Sequence, residues 1–245
     1  MKHDSQWLAN ESMKYHLNQW QSQKESTIAF EKFTSQNLRD SKRVLDLGCG
    51  AGAPTSYLAN RHPNVLFEGI DLETDLIDAA NALVKGSNLE NITFSVGDIL
   101  NLRGIGKGRS VDGVVSFQTL SWLSGYEKAM KQITKHLSPE WVAITSLFYE
   151  GNISCHSVVR EAQGRTLEYN TYSLSQFEKY SESLGYRLSH FEPFNIPIDI
   201  PKPANRDTMG TYTLRALSDE IPAPFRLQIS GPLLLNWAFV LLTRK

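Results

Sequence analysis

The chain has 245 residues, 41% of them hydrophobic and 21% charged, a composition that supplies one large domain with a full core. A formal charge of −1 gives no electrostatic reason to expect a nucleic-acid partner. The two cysteines, Cys49 and Cys155, have neither a disulfide-framework nor a metal-site spacing, so no metal is expected.

Residues 1–41 read as mainly helical, with Trp7, Tyr15, Trp20, Ile28, Phe30 and Phe33 available to pack on a core. The opening MKHDSQWLANESMK lacks the apolar run of a secretory signal. Five short runs rich in Val, Ile, Leu and Phe then read as buried strands: VLDLGCG, VLFEGIDL, ITFSVGDI, VDGVVSF and WVAITSLFY. Helical patterns lie between several of them. One follows Thr74, with Leu76, Ala80, Leu83 and Val84 on one face and Gly86 near its stop. The next aligns Tyr126, Ala129, Met130, Ile133 and Leu137 and ends at Ser138-Pro139. A third is predicted to start at Ser175 in a capping box with Glu178, to turn Leu174, Phe177, Tyr180 and Leu184 inward, and to stop at Gly185. YRLSHF beyond it reads as a strand in which His190 is structural.

Seven of the ten prolines fall at or after Pro193. In that region TYTLRA and FRLQIS alternate in side-chain type and are expected to pair as a hairpin across an LSDEIPAP loop. LLLNWAFVLLTRK then closes the chain as an apolar strand. Its longest apolar run is about half the ~20 residues needed to span a bilayer, so a cytoplasmic protein without a membrane partner is expected.

Strands alternating with helices imply parallel β-α-β units joined by right-handed crossovers. The expected architecture is α/β: a doubly wound, mostly parallel seven-stranded sheet with an N-terminal helical segment and a β-hairpin inserted before the last strand. One domain spans 1–245, with a helical cap at 1–41, a core at 42–194, an insertion or lid at 195–232 and a terminal strand at 233–245.

The stretch Val44 to Ala59, VLDLGCGAGAPTSYLA, carries the most chemistry. A buried strand runs into Gly48, Gly50 and Gly52, and a helix begins near Pro54, which suits a first helical turn. Glycines permit a tight turn and let a ligand approach the backbone without meeting a Cβ. Gly48-x-Gly50-x-x-Ala53 also satisfies the dinucleotide fingerprint, which leaves an NAD(P)-dependent oxidoreductase as an open alternative. Asp46 weighs against it, because its carboxylate attracts a cationic amino group and repels a pyrophosphate.

DLGCGAG resembles the glycine-rich first motif of class I S-adenosylmethionine-dependent methyltransferases, and later segments resemble the family's next motifs in order. The resemblance implies that Asp46, Gly48, Cys49, Gly50 and Gly52 line the cofactor loop, Cys49 through its backbone and small size. It implies that Asp71, followed by Leu72, holds the ribose hydroxyls, a role suited to a carboxylate facing two alcohol donors. In VGDI, Asp98 with Ile99 is implied to lie near the adenine amino group. VDGVVSFQTLSWL is similar to the fourth-strand motif, whose Phe117, Gln118 and Leu120 would leave the strand beside the methionine portion. Asp112 is read as a turn or cap before that strand.

The implied activity is methyl transfer from S-adenosyl-L-methionine to a small molecule, with S-adenosyl-L-homocysteine as product. SFQT stands where nucleic-acid amino-methyltransferases carry Asn/Asp-Pro-Pro-aromatic, so no nucleic acid is expected. A hydroxyl oxygen is the favoured acceptor and His156 the candidate base, since its ordinary pKa suits proton removal near neutrality. Tyr149 and Glu150 are lesser candidates for contacting the acceptor, and Arg215 or Arg226 for binding an acidic group beneath the hairpin. A non-catalytic S-adenosylmethionine-binding regulatory module is the remaining alternative.

Overall fold

A computed structural model describes residues 9–106, 108, 110–160, 166–204, 210–218 and 221–245. Trp7 and the side chain of Tyr15 lie outside that description. The chain opens with helices α1 (Ala9–Gln21) and α2 (Glu25–Arg39). Alternating elements follow: β1 (Arg43–Leu47), α3 (Ala53–Arg61), β2 (Leu66–Asp71), α4 (Thr74–Lys85), β3 (Ile92–Val96) and β4 (Gly113–Phe117). A 3₁₀ turn at Leu120–Trp122 leads to α5 (Glu127–His136) and β5 (Trp141–Tyr149). Three short strands, β6 (Val158–Arg160), β7 (Thr166–Glu168) and β8 (Tyr172–Ser173), precede α6 (Leu174–Ser183) and β9 (Tyr186–Pro193). The chain ends with β10 (Thr211–Ser218), β11 (Ile221–Ser230), β12 (Leu233–Leu234) and β13 (Trp237–Arg244).

The central sheet runs β3-β2-β1-β4-β5-β13-β9, with the short β8 added beside β5. Pairing is parallel from β3 through β5, and β13 runs antiparallel to both of its neighbours. Side-chain alternation builds one core on each face of this sheet. Val44 and Ala143 pack with Phe30, Leu38, Leu58 and Ile77, from α2, α3 and α4. Leu45, Leu47, Val142 and Ile144 pack with Met130, Ile133 and Phe177, from α5 and α6. The expected doubly wound, mostly parallel sheet of seven strands is therefore present. Strand order reverses between β1 and β4, which brings the loops after β1, β2, β3 and β4 together at one carboxyl edge.

Several sequence expectations shift. The N-cap of α6 is Ser173, not Ser175: the Ser173 hydroxyl accepts the Gln176 amide at 3.2 Å, while Ser175 bonds Asn152. Serine at either position satisfies the capping pattern, and pairing of β8 with Phe148 and Tyr149 selects the earlier one. In α4 the buried residues are Ile77 and Ala80, with Leu76, Leu83 and Val84 half-buried. The inserted hairpin forms, but much of its predicted loop is strand: β10 and β11 extend to Ser218 and Ile221 through a bulge between Ala216 and Ser218. The terminal apolar run is broken at Leu235-Asn236, and its first part pairs with the hairpin as β12.

Candidate cofactor and active site

β1 ends at Leu47, and the chain turns sharply through Gly48, Gly50 and Gly52, which have φ of 78°, 54° and 78°. This left-handed region is open to glycine without strain. The amides of Gly48 and Cys49 both donate to the carbonyl of Ile70, at 2.8 and 3.0 Å, and so tie the loop to the end of β2. Close packing also constrains the loop. A Cβ on Gly48 would lie 2.3 Å from the Thr119 hydroxyl, and one on Gly52 would lie 2.3 Å from the Phe94 ring.

Two carboxylates, half-buried Asp71 and buried Asp46, flank the turn. Asp71 accepts the Gly50 amide through Oδ2 at 2.8 Å and the Glu73 amide through Oδ1 at 3.0 Å. Burial pushes its pKa up, against the pull of those backbone donors. Asp46 is fully buried and accepts the Thr55 hydroxyl of α3 at 2.5 Å through Oδ2. Its Oδ1 has no hydrogen-bond partner among the described residues. Burial raises the Asp46 carboxyl to about 7, the Thr55 bond opposes this, and the charge of Asp71 adds to it.

The other predicted residues divide by location. Asp98 is half-buried and caps its own turn, its Oδ1 accepting the Leu100 amide at 2.7 Å. The Gly97 amide donates to the Asp71 carbonyl at 2.9 Å, so Asp98 stands beside the end of β2. Ile99 is buried in the core, whereas Leu72 is exposed. Phe117 turns its ring onto Phe30 of α2, 4.6 Å between centroids. Gln118 has φ 57°, rare for a non-glycine residue, and this conformation aims its side chain at Lys24, whose Nζ donates to Oε1 at 3.1 Å. Cys49 is buried, and burial with the charges of Asp46 and Asp71 pushes its thiol up, away from the reactive thiolate. Asp112 accepts the amides of Lys42 and Arg43 at 2.7 and 2.9 Å, a structural role at the other end of β1.

Sequence reading missed His16 of α1. Trp20, for which core packing was the favoured expectation and closure of the N-terminal helix over the cofactor the alternative, donates its indole N–H to the Ala51 carbonyl at 2.7 Å. His16, one turn earlier, lays its ring over Gly50: a Cβ on that glycine would lie 2.7 Å from His16 Cε1. The signal was the spacing of His16 and Trp20, four apart on one helix face and thus neighbours.

The candidate acceptor residues are more scattered. His156 is exposed, and its ring stands edge-on to that of Tyr172, at 6.1 Å and 69°. Tyr149 is 45% exposed at the end of β5, with its ring against Gly151. Arg215 and Arg226 do not stand open for an acid: both bond Asp199, which they hold at about 2. No group of three or more metal-ligating side chains occurs among the described residues.

The residues fit an adenosyl amino acid. A buried carboxylate oxygen without a partner suits an ammonium group, a second carboxylate at the end of β2 suits vicinal hydroxyls, and both border a backbone turn bare of side chains. Sheet order and glycine turn give the α/β fold type of class I methyltransferases. Residues 44–140 match the family described as methyltransferase domain. The chain is 28% identical over 137 residues to a malonyl-[acyl-carrier protein] O-methyltransferase of Bacillus cereus, covering 56% of this chain and 49% of that protein. It is 34% identical over 101 residues to a trans-aconitate 2-methyltransferase of Deinococcus radiodurans, covering 41% and 36%. The matched stretch thus spans half or less of these curated relatives. The fold matches the O-methyltransferase from a trans-AT PKS multienzyme of Brevibacillus brevis, solved with S-adenosyl-L-homocysteine, at TM-score 0.55 and 14% identity, over 74% of this chain and 59% of that one. Among the described residues no helix is long and apolar enough to cross a membrane.

Proposed function

We propose that this protein is an enzyme that transfers a methyl group from S-adenosyl-L-methionine to an oxygen of a small organic molecule. The observation that carries the reading is the closure of the glycine turn on Asp71, which leaves a carboxylate and bare backbone side by side at the switch point of the sheet. The unpartnered Asp46 oxygen favours a cationic amino acid there over the pyrophosphate of a nicotinamide cofactor.

When bound, S-adenosylmethionine supplies an electrophilic methyl group on a sulfonium centre. The chain's own residues supply position and dryness. Asp71, fixed by two backbone donors, offers its remaining lone pairs to the ribose hydroxyls. Asp46 faces the ammonium, and Asp98 stands at the adenine end. Alignment and water exclusion of this kind are worth up to roughly 7–11 kcal/mol in well-oriented reactions.

In this reading the acceptor is a hydroxyl and His156 removes its proton. The loop carrying His156 follows β5 and opens at the carboxyl edge that bears the glycine turn. A second reading has a specific support: two relatives are named for acting on malonyl-[acyl-carrier protein] and on trans-aconitate, both of which carry free carboxylates. A carboxylate oxygen is already ionised at neutral pH and needs no base. A screen of hydroxyl-bearing and carboxylate-bearing metabolites with labelled S-adenosylmethionine tests the activity, and His156→Ala separates the acceptors. Turnover falling on the order of 10²-fold with cofactor affinity unchanged supports the hydroxyl with its base. Full activity in that variant supports the carboxylate. Acceptor-dependent release of S-adenosylhomocysteine distinguishes an enzyme from a non-catalytic binding module.

A further inference from the structure

The inserted hairpin has its two faces the opposite way round from a sheet that packs on its own core. Residues opposite one another on β10 and β11 share a face. The register sets Thr213 against Gln228 and Arg215 against Arg226 on one side, and Leu214 against Leu227 and Ala216 against Phe225 on the other. β12 extends both rows, with Leu233 beside Ser230 and Leu234 beside Ile229. The polar row is the one turned toward the body of the protein: Thr213, Gln228 and Ser230 are buried, and Leu233 packs against the core that holds Phe194 and Ile196. The apolar row looks outward. Leu214 and Leu234 are 48% and 54% exposed, and Ala216, Phe225, Leu227 and Ile229 are half-buried. At one end of this face Tyr212 is covered, with Lys202 Nζ 5.4 Å from the centre of its ring.

Hydrogen bonds pin this orientation. The buried Gln228 side chain donates to the carbonyls of Phe194 and Leu235 at 3.1 and 3.3 Å and accepts the Ile196 amide at 3.0 Å. The Thr213 hydroxyl accepts the Ile200 amide at 2.8 Å. A slip of one residue would turn the leucines inward and orphan all of these groups. A sheet buries its apolar face against another element, yet neither core cluster of the described residues takes in Leu214, Leu227 or Ile229. We propose that the outward face of the β10-β11-β12 sheet is a self-association surface, on which a second copy of the chain packs its identical face. Charge and area choose this occupant. The described residues of the face carry no charge, while Arg215 and Arg226 lie on the opposite face and are both tied to Asp199. The face therefore offers nothing to an anionic lipid surface, and two such faces meeting about a twofold axis bury no charge and oppose no like charges. With β10 eight residues long and three strands side by side, the footprint is on the order of 300–400 Å² per copy. That is below the roughly 800 Å² per partner of a standard interface, so the dimer dissociates on dilution.

The test is sedimentation equilibrium of the full chain from about 1 to 200 µM, the range in which a small interface populates and loses its dimer. The parent is compared with Leu214→Glu on the face and with Leu66→Glu, a leucine 50% exposed at the start of β2 and outside the hairpin. The mass of the parent should rise from 27.6 kDa toward twice that value, and Leu66→Glu should follow it. Leu214→Glu should stay at the monomer mass throughout, its circular dichroism unchanged. Should that variant not fold, Leu234→Lys on β12 repeats the measurement. A parent that is monomeric at the highest concentration overturns the proposal, and pelleting of that monomer with anionic phospholipid vesicles would assign the face to a membrane surface instead. A folded face variant that dimerises as the parent does also overturns it, because association then uses another surface.

Discussion

The carboxylate of Asp71 and the backbone amide of Gly50 lie 2.8 Å apart, so the acid at the end of β2 also fixes the glycine turn after β1. Removing the side chain strips both the turn's anchor and the acceptor for the ribose hydroxyls. Asp71→Ala is expected to weaken S-adenosylhomocysteine binding by about 2–3 kcal/mol, from the loss of hydrogen bonds to a charged group. Calorimetry checks this, and unchanged affinity removes Asp71 from the site.

Asp46 gives a pH signature. Its carboxyl lies at about 7 in the folded protein against an ordinary 3.8, because burial penalises its charge. A folded pKa above the unfolded one means stability fully present below about 3.8 and lost as pH rises through about 7. Asp46→Asn mimics the protonated form at every pH. Its stability relative to the parent should therefore climb between pH 4 and 7, by roughly 1–4 kcal/mol, and level off above. Urea unfolding across that range checks it. The same variant should bind S-adenosylhomocysteine less tightly, having lost the charge that faces the ammonium.

His16 titrates in the opposite sense. Burial and then the charge of Lys24 depress its pKa from 6.5 to about 4 where α1 is docked. The carboxylates across the turn, Asp71 and Asp46, are themselves shifted toward the neutral form and do not reverse this. The stability that neutral His16 contributes is fully present above pH 6.5 and is lost as pH falls through about 4, a change of at most about 3 kcal/mol. Trp20 fluorescence should report the change, and His16→Gln should flatten the transition.

Gln118 occupies a left-handed conformation at φ 57°, which a β-branched side chain resists. Gln118→Val should destabilise the fold by roughly 1–3 kcal/mol, while Gln118→Asn should cost less. Denaturant midpoints separate the two.

Much of the fold was legible because the strands of the parallel sheet are buried on both faces and read as unbroken apolar runs, as VAIT within β5 does. The glycine turn and Asp71 were legible because backbone geometry restricts which residues stand there. Phe117 illustrates the limit: strand position places its backbone at the site, but only the packing of α2 sends its ring to Phe30. The β6–β7 pair, with Val158 67% exposed, left no periodicity to read. His16 was visible only as a helical residue, and Trp20 as an aromatic for the core or for covering the cofactor, since their contact with Gly50 and Ala51 spans more than thirty positions of tertiary packing.

The central claim is that the turn between β1 and α3 accepts an S-adenosyl group. The most direct measurement is competitive calorimetry of the parent protein with S-adenosylhomocysteine and with NAD(P). The account predicts saturable one-to-one binding of S-adenosylhomocysteine that NAD(P) does not displace. Binding of NAD(P) with none of S-adenosylhomocysteine would contradict it.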